Sequence, residues 1–285
     1  MARIAVITTV RDRIAHLAEM RRGLAWQRLV RAPGDVEHVI VRMGGADPWL
    51  DLPEGPPVVP VEMVLAPGAD RNRLPLAAAR NAGAAATSAD LLIFLDVDCI
   101  PCPELVERYR WFAQQSGGLS AGPVGYLPEA LSGRPLDPEE LARLAVPHPA
   151  RPVPTDGALI RERRYELFWS LSFAIRRSDY VALGGFCEDY VGYGGEDTDL
   201  ALTAQQLGMP FSWVGGAWAW HQYHPIEDPP RRHLTDIVAN AQVYRRRWGR
   251  WPMEGWLRAF ADEGLIEWDS SGDTLRLLSA AITSS

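Results

Sequence analysis

The sequence predicts an α/β protein built on one doubly wound, mostly parallel sheet, and three observations carry that prediction. Wholly apolar runs such as Leu91–Leu95 have the character of strands buried on both faces. They alternate with stretches of helical length and helical period through the first 118 residues. No internal repeat and no low-complexity linker interrupts the chain.

In order, residues 2–10 (ARIAVITTV) form a buried first strand, closed by the polar turn Arg11-Asp12-Arg13. Ile14, Leu17, Met20, Leu24 and Leu29 keep one helical face. Residues 37–43 are a second strand ended by Gly44-Gly45, and residues 57–65 a third, placed at an edge by Pro60. Residues 74–89 are a small-residue helix suited to close packing, residues 90–98 (DLLIFLDVD) the fourth strand, and residues 103–115 an amphipathic helix opened by Pro103. Residues 119–128 are a strand and turn. Residues 128–160, rich in Pro and Arg, are an irregular excursion and candidate lid with one short helix over Pro138–Ala145. Order returns with a strand over 167–177, a short helix ended by Gly184-Gly185, and a helix with acids at its start and Gly208 at its end. A last strand or strand pair spans 210–224, and the tail carries helices over 233–248 and 252–263. The expected organisation is one domain over 1–230, in two halves (1–118 and 119–230), with a helical extension over 231–285.

Composition narrows the function. The chain has 285 residues, 47% hydrophobic and 23% charged, with a net charge of −7, which argues against nucleic acid as a partner. All 29 basic residues are arginine, so any mechanism that needs a lysine is excluded. Three cysteines and no signal-peptide pattern point to a reducing cytoplasm, and no apolar run reaches the length of a transmembrane segment. A peripheral membrane contact through Arg245–Arg247 stays open. Cys99 and Cys102 form a C-x-x-C, but prolines flank Cys102 and no second pair exists to complete a zinc site.

The chemistry-bearing residue types cluster at the carboxyl edge of the sheet, where open α/β folds bind ligands. Asp96-Val97-Asp98 closes the fourth strand, and its one-residue spacing sends both carboxylates to the same side. Two convergent carboxylates suit a hard divalent cation shared with a substrate's phosphates. Two reaction classes use such a pair: phosphatases with an aspartyl nucleophile, and nucleotide-sugar glycosyltransferases. The phosphatases usually carry the pair on the first strand and need a downstream lysine.

Four segments in one order decide between them. "VRDR" (10–13), "NRLPLAAARNAG" (72–83), "FLDVDCIP" (94–101) and "GGFCEDYVGYGGEDTDL" (184–200) resemble, respectively, the F-R-N-R, N-R-A-K-x-x-N-x-G, F-x-D-V-D-x-I-P and G-G-F…W-G-G-E-D segments of β-1,4-galactosyltransferases. The last is also similar to family 2 enzymes such as chondroitin polymerases. The resemblance covers about residues 3–225 and implies the GT-A fold and a metal-dependent, inverting transfer of a hexose or N-acetylhexosamine from a UDP-sugar to a hydroxyl of a saccharide, lipid or natural product. It implies a nucleotide-sugar site of Thr8, Val10, Arg11, Arg13, Asn72, Arg73, Asp96, Val97 and Asp98, in which arginine forks suit diphosphate oxygens. Asp12 stands where the galactosyltransferases have Asn. It implies Mn²⁺ or Mg²⁺ on Asp98, with Asp96 accessory and a histidine from "HQYH" as third ligand: His221 first, His224 second. Imidazole favours Mn²⁺. Asp197 is implied as general base, with Glu196 beside it and Asp199 structural. Tyr193, Gly194 and Gly195 face the acceptor, and Trp169 and Ser172 the sugar. A sugar-nucleotide-binding protein without turnover, and a D-x-D phosphatase, are the alternatives.

Overall fold

The computed structural model describes residues 3–28, 35–49, 52–63, 73–134 and 137–278. The first half runs β1 (Ile4–Val10), α1 (Ile14–Ala25), β2 (Val36–Arg42), β3 (Val58–Glu62), α2 (Leu76–Ala85), β4 (Leu91–Leu95), β5 (Cys99–Pro101) and α3 (Leu105–Gln115). The middle adds β6 (Leu119–Ala121), β7 (Val124–Tyr126), α4 (Pro138–Leu144), β8 (Val146–Pro147), β9 (Leu159–Glu162), β10 (Ser172–Arg176), α5 (Arg177–Leu183) and α6 (Glu196–Gln206). The last part holds β11 (Phe211–Val214), β12 (Ala219–His221), α7 (Leu234–Trp248), α8 (Glu254–Asp262), β13 (Ile266–Trp268) and β14 (Leu275–Leu277).

The main sheet has eight strands in the order β3-β2-β1-β4-β10-β6-β11-β9. Strands β3, β2, β1 and β4 are parallel, β10 runs antiparallel to β4 and β6, β11 is parallel to β6, and β9 is antiparallel to β11. The expected α/β sheet, mostly parallel, is therefore present, with β9 and β10 as its antiparallel members. β3 lies at the edge, where Pro60 costs no ladder bond on its free side. Every residue of β1 and β4 is buried, as continuous apolar strands between two helical layers must be.

Small residues decide how closely α2 sits on the sheet. Ala77, Ala79, Gly83 and Ala84 are its buried face. A methyl group at Gly83 would lie 2.5 Å from Ile7 Cγ2 and 3.0 Å from Val41 Cγ2, so only hydrogen fits. On the same sheet face Phe94 stacks on Phe173 at 4.8 Å, and each fully buried side chain of this size is worth about 1.5–3 kcal/mol.

A second sheet, β5-β12-β7-β8, stands at the carboxyl edge of β4. In it His221 pairs with Cys99 on one side and with Tyr126 on the other. This sheet carries the histidine segment to the aspartate pair across more than a hundred residues of chain.

Two expectations need correction. The strand expected over 167–177 is β10 alone, and Tyr165–Leu167 before it is a 3-10 turn. The excursion over 128–160 is more structured than its composition suggests. Asp137 caps α4 by accepting from the Glu140 amide (2.8 Å), β8 pairs with β7, and β9 pairs with β11. The tail forms the expected two helices, with a β13–β14 hairpin added, around its own cluster of Leu234, Ile237, Trp251, Leu257 and Phe260. Among the described residues no helix is long and apolar enough to cross a membrane.

Candidate functional site

β4 ends in a turn in which the Asp96 amide donates to Leu171 O (2.9 Å) and the Cys99 amide to Asp96 O (2.9 Å). Asp98 is buried there. Its Oδ2 accepts from Arg13 Nη1 at 2.6 Å, while Oδ1 has no hydrogen-bond partner. His221 Nε2 lies 3.6 Å from Oδ1 and His224 Nε2 3.6 Å from Oδ2. One ligand atom from each of the three fits within 4.8 Å of the others. The Gln222 amide donates to Asp98 O at 2.7 Å and fastens the two segments. Burial lowers the pKa of His224, with Arg13 adding to the effect, which favours the neutral imidazole that can ligate a metal. A carboxylate with one orphaned oxygen, facing His221 through that oxygen and His224 through the other, fits a divalent cation that accepts mixed O/N ligands. Cys99 and Cys102 are buried with thiols pushed up by burial, Cys102 to about 12.

Asp96 turns the other way. Its Oδ1 accepts from Arg80 Nη2 at 3.2 Å, and Arg80 Nη1 donates to Glu196 Oε1 at 3.0 Å. Burial works against the Arg80 charge, but Asp96 and then Glu196 reverse this and raise its pKa. Burial pushes Asp96 up to about 6 against the pull of Arg80. Arg80 thus bridges the acid pair after β4 to the acids that open α6.

At that opening, Gly194 and Gly195 have φ of +95° and +98°, which side chains rarely adopt. They deliver Glu196 and Asp197 to the first turn of α6. Asp197 is half-buried, and Oδ1 accepts from the Thr198 amide at 2.7 Å. Burial, followed by the neighbouring Glu196, pushes its carboxyl up to about 7. A carboxylate poised near neutrality suits general-base work. Glu196 is buried, with Oε2 unpartnered.

The other expected site residues fall as follows. Val10 is buried, with its carbonyl accepting from the Met43 amide (2.9 Å), and the Thr8 hydroxyl donates to Leu95 O (3.0 Å) inside the sheet, so neither side chain is open to a nucleotide. Arg11 and Arg13 stand at the end of β1, Arg11 3.7 Å from Asp12 and Arg13 on Asp98. Arg73 donates to Asp236 Oδ1 on α7 (2.6 Å) and to Val191 O in the loop before α6 (2.8 Å), and Asn72 lies outside the described residues. Val97 is buried. Tyr193 is exposed and stacks on His233 at 4.5 Å with Trp256 nearby at 6.0 Å. Ser172 is buried with its hydroxyl on Tyr109 (2.8 Å), and half-buried Trp169 packs against His148 and Arg151.

Sequence reasoning missed Arg80, although it is the one charge in the small-residue run 74–89. It also missed Arg151, a buried guanidinium held between the faces of Trp169 (5.0 Å) and Trp213 (4.7 Å) with no hydrogen-bond partner on any nitrogen. Nothing in the Pro/Arg-rich segment around it marks it out.

Residues 159–227 match the model of a family described as the N-terminal domain of galactosyltransferase. Validoxylamine A glucosyltransferases of Streptomyces hygroscopicus subsp. jinggangensis (strain 5008) and subsp. limoneus are each 28% identical over 193 residues, 60% of this chain. This chain spans 44% and 41% of those relatives' lengths. TarS 1-349 of S. aureus, solved also with UDP, superposes with a TM-score of 0.56 at 14% identity, over 84% of this chain and 64% of that one. The resemblance to GT-A glycosyltransferases, first drawn from four short motifs, is borne out by these independent likenesses in sequence and in fold.

Proposed function

We propose that the protein is a metal-dependent, inverting glycosyltransferase that moves a hexose or N-acetylhexosamine from a UDP-sugar to an acceptor hydroxyl. The observation that carries this reading is the pairing of Asp98, His221 and His224 with a near-neutral carboxylate, Asp197, joined to them through Glu196, Arg80 and Asp96.

Asp98, His221 and His224 would hold the cation, which supplies positive charge against the diphosphate. Arg11 and Arg13 add guanidinium forks for its oxygens. The acceptor approaches along the loop of Gly194 and Gly195, which carry no side chains of their own. Its hydroxyl oxygen bonds to the anomeric carbon as the bond from that carbon to the diphosphate oxygen breaks. The electron pair leaves with UDP, the hydroxyl proton passes to Asp197, and attack from the opposite face inverts the anomeric centre. The histidine ligands favour Mn²⁺ over Mg²⁺.

A screen of nucleotide sugars for slow hydrolysis, with and without Mn²⁺, tests the reading. The relatives' names put a glucose donor and validoxylamine A first, and the UDP complex of TarS makes UDP-glucose the first donor to try. Expected is UDP release that rises with Mn²⁺. Binding of Mn²⁺ and UDP with no donor turned over would mean a binding protein, and phosphoester hydrolysis without UDP release a phosphatase.

A further inference from the structure

The loop that delivers Asp197 has no regular partner strand, yet its backbone polar groups are matched, chiefly from α7. The Asn240 side chain accepts from the Val191 amide (3.3 Å) and donates to Tyr193 O (3.2 Å) and Gly194 O (2.9 Å). Asp236 Oδ2 accepts from the Tyr193 amide (3.2 Å), and its Oδ1 takes Arg73, which also holds Val191 O. The fit is close: a methyl group at Gly192 would lie 2.1 Å from the Asp236 carboxyl carbon. Further along α7, Arg247 Nε (2.7 Å) and Trp248 Nε1 (2.7 Å) donate to Asp199 Oδ1 in the first turn of α6, where Tyr190 OH also donates (3.1 Å).

Residues 236, 240 and 247 are spaced i, i+4 and i+11, so they share one stripe of the helix. That stripe grips the chain on both sides of Asp197. Asp236 and Asn240 hold residues 191–194 before it, and Arg247 holds Asp199 after it. Asp236 and Asn240 are themselves buried, as is Asp199, and polar groups so placed hold geometry tightly because leaving them unpaired is costly.

We infer that α7 is the positioning element of the catalytic carboxylate, and that Asp236, Asn240 and Arg247 are positioning residues acting through loop 191–195 and the first turn of α6. The inference rests on the reading of Asp197 as base. It gives the tail a part in catalysis, since a base misplaced by about 1 Å loses roughly a hundredfold in rate without any change in donor binding.

The test uses the full chain with Mn²⁺ and a UDP-sugar that it hydrolyses. UDP affinity, donor KM and kcat are measured for wild type, Asn240→Ala, Asp197→Asn and the double variant. Asn240→Ala should lower kcat by roughly tenfold to a hundredfold. UDP affinity and donor KM should stay within about twofold, because the residue lies away from the nucleotide. Asn240→Ala should cost nothing further in the Asp197→Asn background, because a positioning residue has no effect once its client is gone. An unchanged kcat would overturn the inference. So would an equal loss in both backgrounds, or a parallel loss of UDP affinity. If Asn240→Ala does not fold, Asp236→Asn keeps an acceptor for the Tyr193 amide and should show the same split with a smaller loss; kcat, KM and affinity falling together in it would refute the idea as well. No turnover of any nucleotide sugar by the wild type would sink the reading of the site, and this inference with it.

Discussion

Replacing Arg80 with methionine removes a charge but keeps most of the side chain's volume. The Arg80 side chain is 5% exposed and holds Glu196 at 3.0 Å and Asp96 at 3.2 Å. Removing it strands two carboxylates, one of which already has an unpartnered oxygen. Breaking a buried pair from one side costs about 3–5 kcal/mol. Unfolding entropy of about 2.1 cal/mol/K per residue, over the 285 residues, is about 0.6 kcal/mol/K. The expected fall in Tm at pH 8 is therefore about 5–8 °C. The sign of the pH dependence follows from Asp96. Burial already lifts its pKa from 3.8 to about 6, and Arg80 restrains that rise. Without Arg80 the carboxyl rises further, so at pH 5 the native variant binds a proton that the unfolded chain releases. Stability lost at pH 8 is then regained as the pH falls through the raised pKa. Melting curves of wild type and Arg80→Met at pH 5 and pH 8 should show the larger gap at pH 8. A gap under about 1 °C at pH 8, or an equal gap at both, would refute the reasoning that Arg80 is the counter-charge of both acids.

Asp98→Ala should abolish Mn²⁺-dependent UDP binding in calorimetry, and unchanged affinity would contradict the ligand assignment. His221→Ala should weaken metal dependence more than His224→Ala, since His221 faces the orphaned Asp98 oxygen; the reverse order would move the main ligand to His224. Asp197→Asn should slow transfer by ~10²–10⁴ with UDP affinity unchanged. The wild-type rate should rise with pH to a plateau above about 7, because the base must be ionised, and a flat profile from pH 5 to 8 would point to another base. Arg151→Met should raise Tm, because burial of an unpaired guanidinium costs more than the two tryptophan faces return, about 2 kcal/mol each when desolvated. A lower Tm would show the stacking to be the stronger effect.

Where the sequence was informative, a local physical rule was at work. The short helix after Pro138 and the two tail helices were read at the segments where they form, and Pro60 placed β3 at an edge. The run Leu167–Leu171 looked like strand because it is apolar, but its chain first makes a 3-10 turn against the core and pairs only from Ser172. The β13–β14 hairpin escaped notice because each strand has only three residues. In the candidate site, Asp98, His221, His224 and Asp197 were singled out through the resemblance of their motifs, and the fold brings ligand atoms of the first three within 4.8 Å of one another. Asp236 and Asn240 were not, because their partners are backbone groups, and a backbone amide leaves no letter in a sequence.

Gly83 touches neither Asp96 nor Glu196, yet it sets the depth at which Arg80, three residues earlier on α2, can reach both. Glycine lets the helix rest directly on Ile7 and Val41. An alanine there would wedge the helix away from the sheet and withdraw the guanidinium at the far end of a long lever, from acids it meets at 3.0 and 3.2 Å. In a mutational scan scored by activity, this residue without a side chain would stand among the catalytic positions, and a ranking of sites by chemical function alone would pass over it.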